Sequence, residues 1–481
     1  MSLRKQTASG VKWTAASAFV ITALQFFRLA ILARLLDKES FGLMAMMMVV
    51  IGFGQAFADM GISNAIIHRQ NSSREQLSSL YWLNLFAGIL IFLTILGCSS
   101  WIAVFYSEPR LENLMPWAAL IFLIIPAGQQ FQVLMQKDLQ FNRLAIVEIA
   151  STGFGTVVAI AAAYMRQGVF SLILGQIATA MTNALLLVAL AWNAWRPAWH
   201  FAFSDLGGYA SFGLYQMGER SLNYFSWNLD KMLIGKILGA EPLGVYSVAY
   251  QIMIRPLSIV NAVITRVAFP VFSAIQDEDA RLKRGYLKMI EMIAFITIPL
   301  YVGMLVVATP LVIFLLGPGW QQAVEVLKIL SILGAFYSLA NPIGSLLLAK
   351  GKANIGFWFN ALGLGVYTIG ILVGVHWGVS GVAWGILCAS VSVLFPLEFW
   401  VRWHLVRMRP LEFFESFALF LLLAALMAAA VLFISKLVQI DNPALRLGLL
   451  VPLGATIYCM AVFRMKEPFL KEVFFMARGN S

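Results

Sequence analysis

The sequence predicts an all-α polytopic membrane protein with about fourteen transmembrane helices. Three observations lead there. Of 481 residues, 60% are hydrophobic and 12% charged, whereas soluble domains carry about 25% charged residues. Apolar runs of roughly 20 residues, the length a bilayer-spanning helix needs, recur from end to end of the chain. The mean hydropathy is +0.82, and the polar segments between runs are too short to form a soluble domain. A water-soluble fold is therefore excluded.

Taken in order, apolar runs bounded by polar or turn residues lie near 12–34, 41–66, 77–104, 112–135, 144–165 and 168–192. The first follows Arg4, Lys5 and Lys12. It exceeds a signal-peptide core and lacks a small-residue cleavage site, so it is expected to stay as an anchor. A second set lies near 207–238, 243–273, 288–316, 321–348, 354–375 and 379–401, and two more runs lie near 413–434 and 444–463. With a cytoplasmic N-terminus, the inner segments carry about three times as many Lys and Arg as the outer ones, as the positive-inside rule requires. Both termini are thus expected in the cytoplasm. Trp101, Trp195, Trp199, Trp320, Trp377, Trp400 and Trp403 fall near run ends, as an interfacial belt does.

The formal net charge of +11 comes from short basic clusters between apolar runs, not one basic arm, so no nucleic acid is implied. Cys98, Cys388 and Cys459 lie inside apolar runs without metal or disulfide spacing and read as packing residues. His68, His200, His376 and His404 fall in loops or interfaces, form no metal spacing, and read as solvated groups. No metal or cofactor is expected.

Arg34, Glu39 and Gly42 return as Lys236, Glu241 and Gly244, all at an offset of 202. Each copy joins the first and second runs of a six-run set. Because six is even, the two sets share one orientation and should be related by a pseudo-twofold axis along the membrane normal. The expected organisation is an N-lobe over 1–206, a C-lobe over 207–404, and two added helices with a tail over 405–481.

Further residues carry a resemblance. They include Ser9-Gly-Val-Lys-Trp13, Phe57-Ala-Asp-Met-Gly-Ile62 and Asn228-Leu-Asp-Lys-Met-Leu-Ile-Gly-Lys-Ile-Leu-Gly239. Gly244-Val-Tyr-Ser-Val-Ala-Tyr250, Val267-Ala-Phe-Pro-Val-Phe-Ser273 and Asn341-Pro-Ile-Gly-Ser-Leu-Leu347 complete the set. In these segments the chain resembles the polysaccharide transporter family of the MOP superfamily, the Wzx-type flippases, and is most similar to its colanic-acid exporters. The resemblance covers roughly residues 1–400. It implies a two-lobed, alternating-access carrier in the bacterial inner membrane, coupled to H⁺ or Na⁺. Its cargo would be an oligosaccharide on undecaprenyl pyrophosphate, moved from inner to outer leaflet for exopolysaccharide or lipopolysaccharide assembly. Membrane lipid and polymerases of the same pathway are the other partners implied.

Ionisable side chains within a span are costly and usually face a bundle interior or a wet cavity. Arg28, Asp59, Glu219, Arg220, Asp230, Lys231, Arg255 and Arg266 are such residues. Glu219 and Asp230 are eleven residues apart, which returns to one helix face roughly 16 Å along the axis; Arg255 and Arg266 repeat that spacing on the next span. Cross-helix pairs between the two stripes fit geometrically. On one reading Arg28, Lys231, Arg220, Arg255 and Arg266 bind the substrate diphosphate, since phosphate needs several positive donors and Arg can grip it bidentately. Asp230, Glu219 and Asp59 would then couple transport to a cation. On the other reading the same charges neutralise one another as structural ion pairs, and Asp59, beside Gly61, marks close helix packing. Glu148, Glu291, Glu325, Lys328 and Glu398 lie near run ends, where snorkelling would satisfy them. Pro256, Pro270, Pro299, Pro310 and Pro342 are candidate kinks or hinges, and Gly363-Leu-Gly365 reads as a close helix contact.

Two other functions are weighed against the carrier. A drug/cation antiporter of the same superfamily should line its cavity with carboxylates, whereas basic groups dominate these spans. A membrane glycosyltransferase or polymerase should carry a sizeable catalytic segment outside the bilayer. No such segment, nucleophile triad or nucleotide loop is present in the sequence, so an enzyme is not expected.

Overall fold

Eleven segments of the computed structural model are long and apolar enough, among the described residues, to cross a membrane. The structure describes residues 3–58, 63, 66, 72–206, 210–438, 440–466 and 469, with side chains except at 3–12, 15, 210–220, 222, 259–267, 269, 270 and 353. Every regular element among them is helical. One crossing segment, Asn354–Val406, has 53 residues, about 80 Å of helix and so more than two hydrocarbon thicknesses. Large apolar side chains such as Trp358, Leu426 and Phe433 are exposed along these helices, which is tolerable only against lipid.

The chain divides into two compact units, Met1–Gly244 and Val245–Ser481. The first contains α1 (Leu3–Leu35), α2 (Lys38–Ala58), α3 (Arg74–Tyr106), α4 (Arg110–Ala119), α5 (Ile121–Lys137), α6 (Phe141–Tyr164), α7 (Phe170–Ala191) and α8 (Ala210–Leu238). Residues Ser73 and Gln76 cap the start of α3 reciprocally, each side chain bonding the other's backbone N–H, which satisfies two donors a helix start leaves open. The run expected near 112–135 is two helices, parted at Leu120. Pro116 and Pro126 supply the reason, since a proline within a helix removes a hydrogen bond and crowds the carbonyl four residues back. For Pro126 that carbonyl is Phe122, and Gly88 of α3 faces it: a Cβ there would lie 2.2 Å from Phe122 O.

The internal repeat is also a contact. A Cβ on Gly42 would lie 1.7 Å from Ala240 O, and one on Gly244 would lie 1.9 Å from Lys38 O. Ala240 is the repeat counterpart of Lys38 and Gly244 that of Gly42, so each copy's glycine rests on the other copy's helix start. Lys38 Nζ meets Glu241 Oε1 at 3.3 Å across the same contact, and Arg110 joins Glu39 at 2.5 Å.

The second unit starts within α9 (Ala240–Ala274). It continues through α10 (Asp279–Val306), α11 (Ala308–Leu316), α12 (Gln321–Ala340), α13 (Ile343–Ala349), α14 (Ala353–Gly374), α15 (Gly378–Ala389), α16 (Phe395–Val406), α17 (Pro410–Leu437) and α18 (Pro443–Met465). The run near 288–316 breaks at Val307, three residues before Pro310, and the run near 321–348 breaks at Asn341–Pro342. Pro256 sits in an unbroken helix. Helix α17 packs along α10 and α18; Lys283 to Glu412 at 2.7 Å ties it to α10, and Tyr458 Oη of α18 donates to Phe295 O of α10 at 3.1 Å.

Two sequence expectations about packing are corrected here. All three cysteines are exposed and are not interior packing residues. The close glycine contact is not at Gly363 and Gly365, which meet side-chain carbons at 3.8 Å or nothing within 4 Å. It lies a turn further on, where Gly370 and Gly374 of α14 face Gly385 and Gly381 of α15, and a Cβ on any of the four would fall within 2.6 Å of a carbonyl oxygen opposite. Glycines four apart on both helices remove the bulk that keeps backbones separated.

Candidate functional site

Four helices of the first unit line a cavity of about 480 Å³. Helix α1 contributes Arg28, α5 contributes Gln129 and Gln132, α6 contributes Glu148, and α7 contributes Gln176 and Asn183. Ser151, Thr152 and Thr179 add hydroxyls. The sequence builds this wall by spacing. Gln129 and Gln132 are three apart; Glu148, Ser151 and Thr152 stand at i, i+3 and i+4; Gln176, Thr179 and Asn183 stand at i, i+3 and i+7. Such intervals put polar side chains on one helix face. Helices α6 and α7 approach closely through Gly155 and Gly175, where a Cβ on Gly155 would lie 2.6 Å from Gly175 O. That brings two polar faces to one space.

The cavity's two charged groups, Arg28 and Glu148, form no ion pair within 4.0 Å among the described residues, with each other or with any third group. One turn from Arg28 on α1, Gln25 Oε1 is buried without a hydrogen-bond partner among the described residues. Gln129 is held by its neighbours, its amide nitrogen donating to Ser63 Oγ at 3.2 Å and its oxygen accepting from Asn84 at 3.4 Å. A guanidinium and a carboxylate that do not neutralise one another can serve separate ligands, an anion at Arg28 and a proton or cation at Glu148. The amides and hydroxyls between them suit a hydroxylated or hydrated guest. Among the described residues no group of three His, Cys, Asp or Glu side chains could hold a metal.

The other candidates fall as follows. Asp230 is buried on α8, its Oδ1 accepting from Lys231 N at 2.7 Å. Lys231 Nζ donates to Asn228 Oδ1 at 2.9 Å. Arg255 is half-buried on α9 in the second unit. Asp59, His68, and the side chains of Glu219, Arg220 and Arg266 lie outside the described residues. Of the charged candidates whose side chains are described, only Arg28 lines this cavity, and Glu148, which sequence position assigned to the headgroup level, joins it.

Glu398 is likewise no snorkelling group. It is 5% exposed and paired at 2.5 Å with Arg402, which is fully buried. Arg402 Nε donates to Tyr286 Oη at 3.1 Å, and its guanidinium carbon stands 4.4 Å from the Phe413 ring centre. Arg402 escaped sequence reasoning because it lies at the edge of the last run of its set; the i, i+4 spacing to Glu398 was the available signal. His200 is more than a solvated loop residue. It bonds Asp205 at 3.0 Å, whose carboxylate also accepts from Ser79 Oγ at 2.6 Å. These hydrogen bonds, Ser79 first and then His200, hold the Asp205 carboxyl below its ordinary value.

Residues 31–325 match a family model described as "Polysaccharide biosynthesis protein". The chain belongs to this family. Among curated members of similar sequence, the teichuronic acid biosynthesis protein TuaB of Bacillus subtilis (strain 168) is 34% identical over 417 residues, 86% of either chain. The lipopolysaccharide biosynthesis protein WzxC of Escherichia coli (strain K12) is 33% identical over 392 residues, 81% of this chain and 80% of its own. The fold is that of the MOP superfamily. It matches the lipid II flippase MurJ in an inward closed conformation with a TM-score of 0.77 at 14% identity, covering 95% of this chain and 99% of that one. It also matches an inward-facing multidrug resistance MATE family transporter of the MOP superfamily, with a TM-score of 0.63 at 14% identity, over 80% and 94% of the two chains.

Proposed function

We propose that this polysaccharide biosynthesis family member is a flippase that carries an oligosaccharide on undecaprenyl pyrophosphate from the inner to the outer leaflet of a bacterial inner membrane. It is a transporter and not an enzyme. The observation that carries this reading is the cavity among α1, α5, α6 and α7, to which Arg28, Glu148 and a row of amides and hydroxyls contribute, in a chain whose relatives are named for teichuronic acid and lipopolysaccharide biosynthesis. A lipid carrier has no need of a polar cavity at membrane depth; its sugar and diphosphate do.

In this mechanism two six-helix lobes, 1–206 and 207–404, related by an axis along the membrane normal, rock against each other to alternate access, with 405–481 as two added helices and a cytoplasmic tail. Both termini are cytoplasmic, as supported by the distribution of Lys and Arg. Arg28 meets the diphosphate, and Arg255, Lys231, Arg220 and Arg266 add positive charge along its path. Glu148 is the first choice for the group that takes up H⁺ or Na⁺, because it shares the Arg28 cavity without an ion-pair partner among the described residues. Asp230, Glu219 and Asp59 are the alternatives. The exported unit passes to a polymerase of the same pathway.

Reconstitution tests this. Proteoliposomes loaded with a defined undecaprenyl-pyrophosphate oligosaccharide should expose the sugar on the opposite leaflet faster than protein-free vesicles, and an imposed H⁺ or Na⁺ gradient should change the rate. No acceleration overturns the reading; gradient-driven efflux of a cationic dye in its place would favour a drug antiporter. Cysteines introduced between Gln276 and Arg281 should react only from the cytoplasmic side.

A further inference from the structure

The first unit holds a second cavity, of about 430 Å³, between α2, α3 and α8, and its walls are apolar. Val50 and Phe53 come from α2, Trp101 and Phe105 from α3, and Phe225 and Met232 from α8. Contacts at two levels hold α8 against its neighbours while leaving this space unfilled. At one, Tyr224 Oη donates to Met48 O at 2.8 Å, and the ring fits because position 52 is glycine: a Cβ there would lie 2.1 Å from the hydroxyl. At the other, eleven residues or roughly 16 Å along the helix, Gly235 admits the Tyr106 ring, whose nearest carbon would stand 3.0 Å from a Cβ.

Two ammonium groups border the space. Asn228, its one amide, accepts from Lys231 Nζ at 2.9 Å. Lys236, in the last turn of α8, places Nζ 5.2 Å from the centre of the Phe105 ring that forms a wall. An apolar slot bordered by cations is complementary to an amphiphile with an anionic head and a hydrocarbon chain.

We propose that this slot binds the polyprenyl chain of the lipid-diphosphate carrier, with Lys231 and Lys236 facing its diphosphate end; the inference rests on the flippase reading above. Ordinary acyl chains meet the protein over its entire exposed apolar surface and need no slot. A long chain that must stay engaged while its head group crosses does need one. The rings of Phe53, Trp101, Phe105 and Phe225 offer faces to its methyl branches and double bonds.

The test uses the full-length protein in lipid nanodiscs, a diazirine-bearing undecaprenyl diphosphate as probe, and peptide mapping after irradiation. Label should appear on α2, α3 and α8. Unlabelled undecaprenyl diphosphate should reduce it about tenfold, whereas the same amount of phosphatidylglycerol should not. Ile102→Trp, which fills the slot from α3, should lower labelling by about fivefold or more, and Val50→Phe serves if that variant fails to insert. Lys236→Gln should weaken competition by the diphosphate. Label confined to other helices, equal competition by phosphatidylglycerol, or undiminished label in a folded slot-filling variant overturns the proposal. Flipping measured on the same protein separates the two readings. Protein that flips lipid-linked sugar but takes no label on these helices refutes the slot alone. Protein that flips nothing yet is labelled selectively refutes the flippase and keeps the prenyl-diphosphate site.

Discussion

Removing the guanidinium of Arg402 isolates a buried carboxylate, and the cost follows from the two residues' surroundings. Glu398, 5% exposed, has Arg402 as its one hydrogen-bond and ion-pair partner among the described residues. Arg402 has more: the Tyr286 hydroxyl at 3.1 Å and rings of Phe399 and Phe413 at 5.4 and 4.4 Å. Arg402→Met therefore strands a charge with nothing to replace its partner, a loss of about 3–5 kcal/mol. Glu398→Gln leaves a cation still held by a hydroxyl and by desolvated rings worth about 2 kcal/mol, so its loss should be nearer about 1.5–3 kcal/mol, that of one charge-assisted hydrogen bond. The double variant Glu398→Gln/Arg402→Met carries no buried charge and should recover at least half of the Arg402→Met loss. Equilibrium unfolding in mixed detergent micelles, read by tryptophan fluorescence, measures all three. A double variant no more stable than Arg402→Met, or an Arg402→Met protein as stable as the wild type, would refute the argument that the arginine is retained to neutralise Glu398.

Four further outcomes are expected. Glu148→Gln should remove the dependence of flipping on an imposed cation gradient while leaving expression and unfolding unchanged; retained gradient dependence would direct attention to Asp230. Arg28→Lys keeps the charge but loses the planar fork, so the flipping rate in proteoliposomes should fall about tenfold, the value of one good contact. Gly381→Leu forces a Cβ into a carbonyl that would stand 2.2 Å away and should destabilise by about 1–3 kcal/mol or more, measurable by the same unfolding assay. Because Ser79 and then His200 lower the Asp205 carboxyl, its contribution is fully present above the ordinary aspartate value of about 3.9 and is lost as pH falls through the lowered folded value. Ser79→Ala should move that loss upward in pH, and the stacked pair Trp82 and Trp199, with ring centres 4.7 Å apart, reports it by fluorescence.

Membrane class and helix type were readable from single residues and runs because lipid imposes them locally. Each backbone N–H and C=O in hydrocarbon needs a partner within its own segment, so twenty apolar residues already specify a helix. The repeat at Gly42 and Gly244 was equally legible, and its meaning as a packed reciprocal contact follows from the absence of a Cβ at both positions. The cavity was half legible. Arg28 stands out as a charge within a span, but Glu148 lies near a run's end, where a carboxylate is expected at the headgroup level, and the amides of α5 and α7 carry no charge.

The sequence by itself determined the all-helical membrane class and the family, since hydropathy and motif spacing are properties of contiguous residues. Tertiary structure alone decided which helix faces meet. Whether a carboxylate near a helix end snorkels, as expected of Glu398, or sits buried on an arginine depends on the surface that α10 and α17 bring over it through Tyr286 and Phe413. Whether the polar positions of α5, α6 and α7 face lipid, protein or a common cavity depends on the rotation and closeness of each helix, set here by Gly155 on Gly175. Those are long-range packing outcomes, decided by shape complementarity between segments far apart in the chain, and no local pattern encodes them.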